Sequence, residues 1–150
     1  MLIEIIPNLW LTNYKTFKNP DLLNNININL IINCSTSIPF KKHMKRENIK
    51  LIRYEIDDDS IIDYNKTFKI NKLIFKYLSQ NKGVICYCYE GKQCSPSLIS
   101  TYLIQYSKLE VNQITKSLQS KCPIIYEDKN NFELSLGKYK YKYNISNKSK

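Results

Sequence analysis

A chain of 150 residues, 43% hydrophobic and 24% charged, has the size of one domain around one hydrophobic core. Its longest apolar stretches are too short to cross a membrane, and Met1 to Ile6 runs straight into Pro7-Asn8, so neither a spanning helix nor a basic-then-apolar leader is expected, and a soluble, non-secreted protein is. Five irregularly placed cysteines argue for a reducing compartment, the cytoplasm by default, and the formal charge of +10 is uneven, since Lys138 to Lys150 holds five lysines and no acid.

Ile3 to Asn13 reads as two short strands broken by a Pro7-Asn8 turn. Asn19-Pro20-Asp21-Leu22-Leu23 opens a short helix, and Ile26 to Ile32 leads into a buried strand ending at Asn33-Cys34. Cys34 has the setting of a small core hydrophobe. Ser35 to Glu47 is a polar, basic loop with a turn of helix, and its His43, among lysines, reads as a solvated side chain. Ile49 to Ile56 forms the next strand. It stops at Asp57-Asp58-Asp59, at a strand end, where the loops of open α/β sheets carry chemistry. Asp63 is the predicted cap of a helix whose apolar face is Phe68, Ile70, Leu73, Ile74, Tyr77 and Leu78. Asn81-Lys82-Gly83 ends that helix.

Val84 to Tyr87 is a run of apolar, aromatic and thiol side chains, as a buried strand requires. A helix follows, with Ser95 expected as its cap, Pro96 at its first position, and Leu98, Ile99, Tyr102, Leu103 and Tyr106 at helical spacing. The loop from Cys88 to Gln93 therefore sits on a helix N-terminus. Unpaired N–H groups and the helix dipole favour an anion there, Gly91 lets the backbone curl around it, and the Cys88 thiol faces it.

Ser107-Lys108-Leu109-Glu110 reads as a capping box for a helix carrying Val111, Ile114 and Leu118, which Cys122-Pro123 closes. Ile124 to Asn131 is then a loop. Phe132, Leu134 and Leu136 lie on a last helix that Gly137 is expected to end. The division is thus a domain over residues 1–137 and a basic Lys/Tyr-rich tail over 138–150. The tail reads as a frayed, solvated terminus, with single-stranded nucleic acid or an acidic surface as the alternative partner.

Cys88, Gly91 and Ser95 resemble the signature of the cysteine-dependent protein phosphatases, His-Cys-x-x-x-x-x-Arg-Ser/Thr. The Pro7-Asn8-Leu9-Trp10-Leu11 opening and the Ile56-Asp57-Asp58-Asp59 loop fall in the order seen in the dual-specificity branch, and the acid loop and helices look most like the small poxvirus enzymes. The resemblance implies an α/β fold, a central mostly parallel sheet flanked by helices. It implies Cys88 as nucleophile, Asp58 as general acid with Asp57 or Asp59 as the alternatives one residue either way, and Tyr89, Glu90, Gly91, Lys92, Gln93 and Ser95 as the phosphate-binding loop. Two positions depart from it: Tyr87 stands where the family has histidine, and Cys94 where it has the arginine whose guanidinium grips two phosphoryl oxygens. By analogy with other arginines that stabilise phosphoryl transfer, this loss costs on the order of 10³ to 10⁵ in rate.

The expectation is therefore an inactivated phosphatase, a pseudophosphatase that binds proteins, phosphorylated ones among them, in the cytoplasm, or the host cytoplasm if the source is viral. The alternatives are a weak phosphatase using Cys88 with Lys92 as substitute cation, a nucleic-acid binder acting through the tail, and a thiol module with a Cys88–Cys94 disulfide. A zinc site of Cys86, Cys88 and Cys94 lacks a fourth ligand at the spacing of His43 or Cys122, so no metal and no cofactor are expected.

Overall fold

The computed structural model describes residues 1–56, 62–127 and 132–147. The strands β1 (Leu2–Ile6), β2 (Leu9–Asn13), β3 (Leu30–Asn33), β4 (Lys50–Arg53) and β5 (Val84–Cys88) form one sheet in the order β1-β2-β5-β3-β4. β1 and β2 are antiparallel, and every other neighbouring pair is parallel. The helices are α1 (Tyr14–Phe17), α2 (Leu22–Asn25), α3 (Tyr64–Ser79), α4 (Cys94–Tyr106), α5 (Val111–Lys121) and α6 (Phe132–Ser146), with a 3₁₀ turn at Lys42–Met44. This is the expected α/β fold with a mostly parallel sheet. No helix among the described residues is long and apolar enough to cross a membrane.

The Pro7-Asn8 turn forms as predicted, with Asn8 at φ 70°, a left-handed conformation that asparagine tolerates. β5 lies at the centre of the sheet and is buried along its whole length. Its side chains alternate between two apolar layers. Val84, Cys86 and Cys88 face the larger core beneath α3, α4, α5 and α6, while Ile85 and Tyr87 face a smaller one with Phe17, Ile31 and Met44. At the entry to β5, a Cβ on Gly83 would lie 1.8 Å from the Asn27 carbonyl oxygen, so only glycine lets the chain before β3 pass this close.

Asp63 caps α3 as expected, accepting from the Lys66 N–H at 3.1 Å. The inner face of α3 differs from the apolar stripe predicted, because Thr67 and Asn71 are buried beside Ile74. Thr67 bonds the Tyr54 hydroxyl. Asn71 Nδ2 donates to Thr101 Oγ1 at 3.0 Å and to Gln105 Oε1 at 2.6 Å. α4 is packed on almost all sides and its buried polar groups need partners, which α3 supplies.

Three helix ends correct the sequence reading. α4 begins at Cys94, so Pro96 is its third residue, and Ser95 turns to Cys88 and leaves Gln93 as a cap without a side-chain bond. The capping box of α5 is Glu110 with Gln113, one turn later than expected, with Glu110 N–H donating to Gln113 Oε1 at 2.8 Å. α6 continues through Gly137 to Ser146, so the boundary at 137/138 falls inside a helix. Tyr139 is 3% exposed and bonds Gln105, and Tyr143 donates to the Gln105 carbonyl at 3.0 Å. Burial of these rings offsets the helix penalty of one glycine, about 1 kcal/mol.

Candidate active site

β5 ends at Cys88 and α4 begins at Cys94, and the five residues between them curl back over the thiol. Gly91 N–H points at Cys88 Sγ from 3.2 Å, and Ser95 Oγ lies 3.1 Å from the same sulfur. Gly91 has φ 75°, a left-handed conformation that other side chains rarely adopt, so glycine is favoured there by backbone conformation. The first turn of α4 is held by Ser97, whose N–H and hydroxyl both bond the Gln93 carbonyl. The remaining N–H groups of that turn carry the partial positive charge of the helix end.

The thiol opens on a cavity of about 320 Å³. Its floor is Cys88, its rim is Tyr89, Glu90, Lys92, Gln93 and Cys94, and its far wall is Ser35, Thr36, Ser37, Ile38 and Ile56. Tyr89 is 67% exposed at the mouth and stacks on Tyr14 with centroids 6.2 Å apart. The structure thus brings Cys88, Cys94 and the predicted Tyr89, Glu90, Lys92 and Gln93 to one pocket, with Gly91 and Ser95 against the Cys88 sulfur. Asp58 lies outside the described residues.

Cys94 Sγ sits 3.6 Å from the Ile56 carbonyl oxygen, three residues beyond the end of β4. The chain has two arginines, and both are engaged elsewhere. Arg46 donates to the His43 carbonyl at 3.0 Å and to Asn24. Arg53 donates to the carbonyls of Ser35 at 2.9 Å and Ile38 at 2.7 Å, behind the pocket wall. Lys92 Nζ lies 3.4 Å from Glu90 and 3.8 Å from Glu127, so its charge is shared with two carboxylates. Tyr87, in the histidine position, points to the opposite layer, edge-on to Phe17 at 5.0 Å. His43, on that side too, contacts the Phe17 carbonyl through Nε2.

All five cysteines are free. Burial pushes the thiols of Cys34 and Cys86 well up, which makes them poor nucleophiles and poor metal ligands. Among the described residues no group of three or more His, Cys, Asp or Glu is placed to hold a metal.

Two supports were missed in the sequence. Tyr126, at φ 57°, donates its N–H to the Lys92 carbonyl at 2.9 Å, while its hydroxyl lies 3.1 Å from Ser97 and 3.0 Å from Ser100, tying the loop to α4. Asn33 donates to the Ile38 carbonyl and accepts from Ser35 N–H and Oγ, which with Arg53 fixes the far wall. The polar Asn33-x-Ser35 at a buried strand end was the available signal, since a buried amide needs several partners. Nothing local marks Tyr126.

A sequence model of the dual specificity phosphatase catalytic domain matches residues 9–142. Among solved structures, the chain is similar to a mouse putative dual specificity phosphatase complexed with zinc tungstate, at 18% identity over 97% of this chain and 89% of that one, with a TM-score of 0.83. Human DUSP28 matches at 18% identity over 94% and 93%, with a TM-score of 0.80. A leucine rich repeat and phosphatase domain containing protein from Entamoeba histolytica matches at 20% identity over 97% and 94%, with a TM-score of 0.78.

Proposed function

The chain belongs to the dual specificity phosphatase catalytic-domain family, and within that family we propose that it is a pseudophosphatase, a binding protein whose pocket has lost turnover. The observation that carries this reading is the arginine count. Cys94 occupies the signature position, Arg46 and Arg53 are spent on backbone carbonyls, and Lys92 is paired with Glu90 and Glu127. In the working chemistry, the thiolate attacks phosphorus in line, an acid protonates the leaving oxygen, and loop N–H groups with the arginine hold the equatorial oxygens. Cys88 and the loop amides supply the first and part of the last. Asp58 is proposed as the acid. A thiol at position 94 donates weakly and carries no fork for two oxygens.

The reading extends to a protein partner, phosphorylated or not, held at or near this pocket. Its cavity, the exposed Tyr89 and the retained helix N-terminus support it. Free thiols throughout support work in a reducing compartment, which we take to be the cytoplasm. The likeness of the acid loop to poxvirus enzymes supports a viral source and so the host cytoplasm. A weak phosphatase is the second reading, favoured by the intact contacts of Cys88 with Ser95 and Gly91.

Hydrolysis of para-nitrophenyl phosphate by the natural protein, beside Cys88→Ser, separates the two. The pseudophosphatase reading expects the same background rate from both. A natural rate well above the Cys88→Ser rate contradicts it and supports the weak enzyme.

A further inference from the structure

α3 carries Lys66, Lys69, Lys72 and Lys76 and no acidic residue. Lys69, Lys72 and Lys76, spaced by three and four, form one exposed stripe. Beside the stripe, Phe75 is 47% and Tyr106 is 39% exposed, their rings stacked with centroids 4.6 Å apart. α6 brings the exposed Lys142 to the same face, standing over the Tyr64 ring at 5.1 Å. Tyr106 is the last residue of α4 and Cys94 the first, so this face lies roughly 18 Å along the helix from the pocket.

A row of solvated lysines alone would call for no partner. Here an apolar pair stands at the surface beside a stripe of cations of one sign, the combination that joins an anchor to a charge preference. We propose that this face docks an acidic segment of a partner protein, with apolar side chains against Phe75 and Tyr106 and carboxylates against Lys69, Lys72, Lys76 and Lys142. Polypeptide is favoured over nucleic acid because each ring on this face already has one side against another ring or a cation. Phe75 and Tyr106 cover each other, Lys72 stands over Phe68 at 5.5 Å, and Lys142 covers Tyr64. Nucleobases need open ring faces to stack on. A peptide needs only apolar edges and nearby charge, which this surface offers.

The test titrates the full chain into a fluorescein-labelled peptide of Glu and Asp interspersed with Leu and Phe, read by anisotropy, beside an oligothymidylate and phosphatidylserine-containing vesicles. The peptide binds in a salt-sensitive way. Joint Lys69→Gln, Lys72→Gln and Lys76→Gln replacement weakens it at least about tenfold. Phe75→Ala weakens it several-fold and leaves the salt dependence unchanged, while Lys116→Gln with Lys121→Gln on α5 has no effect. No binding of the peptide, an equal loss in the α5 variant, or tighter binding of the oligothymidylate or the vesicles overturns the proposal. Thermal melts close to that of the natural protein accompany each variant, and Phe75→Ala decides alone if the lysine variant melts early. No pocket residue enters this test, so its failure is distinct from a failure of the pseudophosphatase reading.

Discussion

Tyr126 shows how one side chain outside any motif holds the site. Its N–H fixes the Lys92 carbonyl, and its hydroxyl meets Ser97 and Ser100 on the first turns of α4. Burial pushes its phenol from the ordinary 10.0 up to about 12, with the two serine bonds pulling the other way. Tyr102 is likewise pushed up to about 12 by burial. A phenol whose folded pKa is the higher one binds its proton more tightly in the folded state. The associated stability is complete below about pH 10 and is lost as pH rises through 12, each pH unit between the two values being worth about 1.4 kcal/mol. Urea unfolding at intervals over that range is expected to show the natural protein losing stability, and Tyr126→Phe losing less of it. Parallel curves for the two proteins would mean that Tyr126 does not bury its phenol.

At the scale of elements, α6 is the instructive case, because its second half looked like a tail. Lysine and tyrosine alternate there, and Gly137 reads as a stop, yet Leu136 and Tyr139 face the core, Lys138 and Lys142 are exposed, and Lys140 pairs with Glu110 at 2.9 Å. Tyr139→Ala removes a buried ring bonded to Gln105 and is expected to cost about 3–5 kcal/mol. That corresponds to a melting temperature lower by roughly 10 °C for a chain of this size. A shift of only a degree or two would restore the reading of a frayed terminus. The strands, by contrast, were legible in the sequence. Apolar runs bounded by Asn8, Asn33 and Gly83 gave their order, since apolar runs and turn residues are local signals. The cradle of Cys88, Gly91 and Ser95 was legible too, because its parts are seven residues apart at most. Local chemistry did not reveal the far wall built by Asn33 and Arg53, the Tyr126 clasp, or the Asn71, Thr101, Gln105 and Tyr139 network. Those depend on contacts between distant segments that the fold alone brings together.

The molecule as a whole, on the reading proposed above, is a phosphatase scaffold kept intact around one lost function. The sheet, the loop on the α4 N-terminus, the thiol and the cavity are all in place, and the guanidinium is missing. If that is the decisive loss, the scaffold should regain chemistry when the fork is returned, and should not when only a positive charge is returned. The most direct measurement is para-nitrophenyl phosphate hydrolysis by the natural protein, Cys94→Arg and Cys94→Lys, each beside its Cys88→Ser counterpart. The expected result is a silent natural protein, Cys88-dependent turnover in Cys94→Arg on the order of 10³-fold above it, and little or none in Cys94→Lys. A folded Cys94→Arg protein that stays silent would contradict the missing guanidinium as the decisive loss, and a natural protein that already turns over through Cys88 would contradict the pseudophosphatase reading itself.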